Sequence, residues 1–137
     1  MKETIFMLLS WIGSHSNYDI TLTSPNVVLT TRHNLCALYG IQQKAQCDNS
    51  GLAGFFDKNL TVYLPTSFNI ASDHDQSKLL HELVHYVQWA NGQDKHTCLG
   101  QLEVEAYDLA DQWRAEKGLG PSLAVFNRIL LEASCDA

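Results

Sequence analysis

The sequence predicts an α+β domain in which a small antiparallel or mixed sheet packs on a long helix bearing H-E-x-x-H. A glutamate-bearing helix and a C-terminal helix follow. Two observations carry this. First, a helical stretch is followed by short β-branched and aromatic runs, and then by consecutive helical patterns. Second, the chain has 137 residues, 45 % of them hydrophobic and 18 % charged, which fits one packed domain over residues 1–137. A domain of this size buries roughly two thirds of its unfolded surface, enough for a single core.

The first helix is expected from Thr4 to Ser14, where Ile5, Leu8, Leu9 and Ile12 recur at i, i+3, i+4 and i+7. After Pro25, the run Val27 to Thr31 reads as a strand. Asn34 to Tyr39 reads as a short helix stopped by Gly40, and the polar stretch from Gln42 to Gly51 as loop. Gly54-Phe55-Phe56, Asp57-Lys58-Asn59 and Leu60 to Leu64 form a hairpin signature. Pro65 ends the second strand and suggests a sheet edge. Ser72 and Asp73 are N-cap candidates for a helix ending at Asn91-Gly92. A further helix spans Leu99 to Lys117 and stops at Gly118. Ser122 is expected to cap a last helix with Leu123, Phe126, Leu130 and Ala133 on one face.

Composition excludes some functions. Nine Lys and Arg against fifteen Asp and Glu leave a net charge of −6, which argues against phosphate-rich nucleic acid and anionic lipid as partners. The most apolar stretch, Ile5 to Ile12, is well short of the ~20 residues that span a bilayer. The expected protein is soluble, either cytoplasmic or exported with a signal removed ahead of Met1. Cys36, Cys47, Cys98 and Cys135 show no C-x-x-C pair, so a thiolate zinc knuckle is disfavoured, and three disulfide pairings stay open. Cys36, within the apolar run LCALY, reads as a buried thiol.

The chemistry resides in Leu79-Leu80-His81-Glu82-Leu83-Val84-His85. On a helix, His81 and His85 lie one turn apart, about 6 Å along the axis, on one face. Both imidazoles can therefore reach one ion at ~2.0–2.1 Å. Glu82 sits about 100° round the helix, out of ligand reach but able to touch a metal-held water. Leu80, Leu83, Val84 and Val87 form a separate apolar stripe, and His81, His85 and Gln88 a polar one. The bland alternative is a solvated face with incidental histidines. With six His and six Glu in the chain, the motif arises by chance in roughly one such sequence per hundred, so its mechanical meaning outweighs that alternative.

A zinc site with an open position needs a third protein ligand. The position six after His85 is Asn91, not His. Glu103 and Glu105 on the next helix are the candidates, and they lie about 200° apart, so one at most faces the metal. Glu103 is favoured because it shares a flank with Ala106, Ala110 and Trp113, and the small alanines allow close approach. Tyr107 is placed to hydrogen-bond a ligand. Trp11, Trp89 and Trp113 read as core anchors. Asp73 and Asp75 read as helix-capping acids and Asp94-Lys95-His96 as solvated loop.

HELVH, followed 18 residues after His85 by E-x-x-A-Y-x-L-A, resembles the gluzincin branch of the zincin metallopeptidases. The upstream G-F-F-D-x-x-x-x-V-Y-L-P agrees, so the likeness spans about Gly54 to Trp113, and the small size is similar to the minimal single-domain gluzincins. The resemblance implies a zincin-like fold and a Zn2+ cofactor held by His81, His85 and Glu103. It implies Glu82 as general base in the hydrolysis of a peptide or protein substrate, which would bind along an edge strand, here Leu60 to Leu64. Tyr107 stands where larger gluzincins often have Asp, which leaves Glu103 and Glu105 both open. An oxyanion donor is expected among Tyr63, Tyr107, His15, His33, His74 and His96. A zinc-binding but non-proteolytic sensor or partner-binding domain is the alternative, and a metal-free helical domain a third; the presence of Glu82, a base that ligates nothing, favours the enzyme.

Overall fold

The structure, a computed structural model, describes residues 1–21, 24–49, 54–57 and 60–136. The described elements are α1 (Lys2–Ser14), β1 (Asn26–Thr30), α2 (Arg32–Leu38), α3 (Lys44–Asp48), β2 (Phe55–Asp57), β3 (Thr61–Pro65), α4 (Asp73–Ala90), α5 (Leu99–Glu116) and α6 (Val125–Ala133). Short 3-10 turns lie at Gln93–Lys95 and Ser134–Asp136. This is the α+β plan, with a mixed three-stranded sheet. Among the described residues no helix is long and apolar enough to cross a membrane.

The sheet order is β1-β3-β2, with β1 parallel and β2 antiparallel to β3. This corrects the expectation that Leu60 to Leu64 forms a sheet edge. Pro65 is the last residue of the ladder, opposite Thr30. A missing N–H at the strand's final position leaves the central pairings intact, and Thr66 N resumes bonding to Thr30 O at 2.9 Å. Among the described residues the outer strands are β1 and β2. The expected hairpin turn at Lys58 and Asn59 lies outside the described residues.

The core forms where α1 and α4 meet β3 and α5. Leu8 and Ile12 of α1, Val62 and Leu64 of β3, and Leu80, Leu83, Val84 and Val87 of α4 are buried together. Ala106 and Ala110 of α5 are buried against them, as small residues at a helix–helix contact should be. Ser72 caps α4 through its hydroxyl, which accepts from Asp75 N at 3.2 Å. Asp75 in turn accepts from Asn69 N, so the acids here serve the helix start. Trp113 is buried, whereas Trp11 and Trp89 are only partly so, Trp11 donating to Glu116.

Three expectations fail locally. The stretch from Gln42 to Gly51 is not all loop: Lys44–Asp48 is a helical turn held by a Cys36–Cys47 disulfide. Cys36 is therefore buried but not a free thiol, because the chain folds back within bonding reach of Cys47. A second disulfide joins Cys98 to Cys135. The last helix is capped at Ala124 rather than Ser122, whose hydroxyl and amide both bond Asp111. Its Phe126 and Leu130 are 68 % and 53 % exposed. The helix is seated instead by the Arg128–Asp108 ion pair, the second disulfide and Gly100. At Gly100 α5 and α6 approach closely: a Cβ there would meet Leu131 O at 2.2 Å.

Candidate metal centre

Helix α4 buries its leucine stripe and turns His81, Glu82, His85 and Gln88 toward a cleft of about 850 Å3 between itself, β2 and α5. Helix α5 brings Glu103 to the histidines. His81 Nε2 lies 3.2 Å from His85 Nε2 and 3.6 Å from Glu103 Oε2, and His85 Nε2 contacts Glu103 Oε1. All three donor atoms fall within 4.8 Å of one another. Ligand atoms ~2.0–2.1 Å from a tetrahedral zinc sit about 3.3 Å apart, which matches the two spacings from His81 Nε2; His85 Nε2 and Glu103 Oε1 are in direct contact and would have to part to admit the ion.

The His85 tautomer follows from its neighbours. Gln88, 1 % exposed, donates through Nε2 to Leu102 O and Glu105 Oε1, both at 2.9 Å. Its Oε1 must then be the acceptor facing His85 Nδ1, at 2.9 Å. His85 therefore carries a proton on Nδ1 and turns Nε2 to the cluster. Glu105 is the other open candidate from the sequence, and the structure puts it behind Gln88, where Tyr18 also donates to it. Gln88, Glu105 and Tyr18 thus support the histidine from outside, a role the sequence reading did not assign. The only cue was that Gln88 shares the histidine stripe at i+3. Tyr107 was expected to hydrogen-bond a ligand; its ring instead lies against the His81 ring, centroids 4.4 Å apart.

The electrostatics are tightly coupled. Burial raises the Glu103 carboxyl, but hydrogen bonds and charge from His81 and His85 hold it far below the usual range. Burial lowers the His85 imidazolium, yet Glu103, Glu82 and Gln88 together lift it above its ordinary value. Glu82 is 6 % exposed; burial raises its pKa more than the histidines lower it. Gly54 closes over Glu82, since a Cβ at this position would lie 3.1 Å from Glu82 Cγ.

Tyr39 was missed by the sequence. Placed at the C-terminal cap of α2 and fixed by Gly40 in the left-handed region, it donates to Gly54 O at 2.7 Å and lines the cleft. Its phenol is raised by burial and then by Glu82, Glu103 and Tyr107. No local pattern in the sequence announces such a contact. Of the expected donors, Tyr107 and His74 line the cleft and Tyr63, His15, His33 and His96 do not. Asp94, read as solvated loop, also lines it, because Gln93–Lys95 is a 3-10 turn.

The sequence profile of a domain of unknown function, DUF6647, matches residues 1–137. The chain belongs to the DUF6647 family. No curated protein and no solved structure matches it.

Proposed function

We propose that this DUF6647 chain is a zinc-dependent peptidase with a zincin-like arrangement, in which His81, His85 and Glu103 hold the ion and Glu82 is the general base. The observation that carries the reading is the convergence of His81 Nε2, His85 Nε2 and a Glu103 carboxylate oxygen within 4.8 Å of one another. Gln88 Oε1 accepts from His85 Nδ1, so a neutral His85 turns its Nε2 lone pair to the same point, and a cation there would be shared by all three. A bound zinc would supply an acidified water and polarise the scissile carbonyl. Glu82 takes the proton from the attacking water, whose oxygen bonds to the carbonyl carbon, and delivers it to the leaving nitrogen as the C–N bond breaks. The raised Glu82 pKa suits a group that must hold and then release that proton.

The substrate strand belongs on β2 rather than β3. β3 is paired on both sides, while no strand among the described residues pairs with the outer side of β2, and Gly54, Phe55 and Phe56 line the cleft. Tyr39 donates its one proton to Gly54 O at the start of that edge, which leaves Tyr107 as the cleft-lining phenol with no acceptor among the described residues and so the candidate to donate toward a bound carbonyl.

Hydrolysis of a quenched fluorescent peptide library by the zinc-loaded protein tests this. Chelation and Glu82→Gln should each lower the rate at least 100-fold, the ordinary scale of a positioned acid–base group. Hydrolysis indifferent to both would overturn the reading.

A further inference from the structure

The cleft continues past the histidine–glutamate cluster along α4 and α5. His85 meets Glu103 at one end, and His74 and Ser77 meet Arg114 at the other, so the helices run in opposite directions with matched stripes. Arg114 closes the far end and is 8 % exposed. Its partners are all neutral. Nε donates to Gly120 O at 2.7 Å, and Nη1 to Ser77 Oγ at 2.9 Å and His74 Nδ1 at 2.8 Å. Accepting that bond leaves His74 Nδ1 without a proton. Arg114 Nη2 has no acceptor among the described residues and is open to solvent.

This is unusual for a buried guanidinium, which ordinarily faces a carboxylate. The chain has fifteen acids for nine bases, yet none of the described ones reaches Arg114. The neighbouring cation, Lys78, lies 3.8 Å from Asp75. Among the described residues Arg114 is therefore the cation on this wall with no acid partner, and the two N–H groups of its Nη2 have no acceptor there.

We infer that Arg114 Nη2 receives a carboxylate of the bound peptide. The inference rests on the peptide-binding reading of the cleft and adds substrate class to it. At ~1.5 Å per residue, α4 rises about 10 Å from His81 to His74, and α5 about 16 Å from Glu103 to Arg114. An extended peptide advances ~3.3 Å per residue. The anion therefore sits about three to five residues from the bond cut, as an acidic side chain or a free C-terminus.

The test separates binding from hydrolysis. Fluorescence anisotropy is read on the zinc-loaded Glu82→Gln protein with labelled octapeptides in which one Glu or Gln walks along an otherwise neutral sequence. Each peptide is made with a free and an amidated C-terminus. One Glu register, or the free terminus at one length, should bind at least tenfold tighter than its neutral counterpart, the scale of a charge-assisted bidentate contact. Adding Arg114→Gln should erase that difference, and Arg114→Lys should keep part of it; circular dichroism shows whether each variant is folded. If Arg114→Gln does not fold, the Lys variant and a salt titration of the preference decide. Equal binding of acidic and neutral peptides, a preference unmoved by Arg114→Gln, or a preference insensitive to both Lys and salt would overturn the inference. So would a library that does not bind at all. A preference that vanishes with Arg114, found in a protein whose Glu82 form hydrolyses nothing, would sustain the anion site while removing the peptidase.

Discussion

Replacing Gln88 with Met keeps helix propensity and volume while removing every polar atom of the side chain. Three hydrogen bonds disappear: from His85 Nδ1, to Leu102 O and to Glu105 Oε1. Gln88 is 1 % exposed, so water does not readily replace them. The His85 N–H is left wanting a partner, at about 1–3 kcal/mol for a buried unsatisfied group, while Leu102 O, inside α5, loses its second bond but keeps its helical one, at about 0.5–1.5 kcal/mol. Glu105 retains Tyr18, which limits the loss on that side. A net destabilisation of about 2–4 kcal/mol is expected, less than the sum because neighbouring groups relax. The His85 ring also loses what fixes its tautomer, which typically weakens metal binding 10–100-fold. Urea unfolding of the chelated protein measures the first quantity, and competition against a chromophoric zinc chelator the second. Gln88→Glu is the control: it can still accept from His85, but it sets a second carboxylate against Glu105 and should be less stable than Gln88→Met near neutral pH. Zinc affinity within twofold of wild type in a folded Gln88→Met protein would refute the assignment of the His85 proton.

Other outcomes follow from the same geometry. Gly100→Ala gains about 1 kcal/mol of helix propensity, but its Cβ would fall 2.2 Å from Leu131 O; overlap should win, with a net loss of about 1–3 kcal/mol in urea unfolding, and a more stable variant would show that α6 is not seated there. Gly54→Ala brings a Cβ within 3.1 Å of Glu82 Cγ and should lower peptide hydrolysis about tenfold or more while leaving zinc affinity unchanged; equal loss of both would mean that the metal site itself moved. In the chelated protein Glu82 and His85 both have folded pKa values above their ordinary 4.5 and 6.5. Each then contributes stability that is full below its ordinary value and lost as pH rises through the raised one. Glu103, held below 4.5, contributes stability that is present above that value and lost as pH falls through the lowered one. The melting temperature of the chelated protein should therefore fall as pH rises through 6.5 and upward, and fall again in strong acid; a steady rise from pH 5 to 8 by differential scanning calorimetry would contradict the coupling.

The parts of this molecule written in local pattern could be read from the chain. His81 and His85 lie on one helical face because four residues make about one turn, and the leucines at 80 and 83 with the valines at 84 and 87 lie in the core because the apolar stripe has nowhere else to go. Glu103 was favoured by its flank of alanines, and those alanines are what let α5 approach. The remainder depended on long-range placement. Whether β3 is central or at an edge turns on β1, more than thirty residues earlier in the chain, and Pro65 speaks only for its own missing N–H. Tyr39 reaches the cleft through the path of α2 and the Cys36–Cys47 bond, neither of which leaves a periodic trace. The expected apolar face of the last helix shows the reverse failure: its spacing promised burial, yet Phe126 and Leu130 remain exposed, as do Val125 and Ile129 beside them, because α6 meets α5 by other residues.

The account is tested most directly by counting zinc on the purified chain and on two single variants by mass spectrometry of the metal after exhaustive dialysis. One zinc per chain is expected in the wild type and in Glu105→Ala, where the loss of outer support weakens binding by about tenfold at most. Little or none is expected in Glu103→Ala. Zinc retained by Glu103→Ala but lost from Glu105→Ala, or no zinc on a folded wild-type chain, would contradict it.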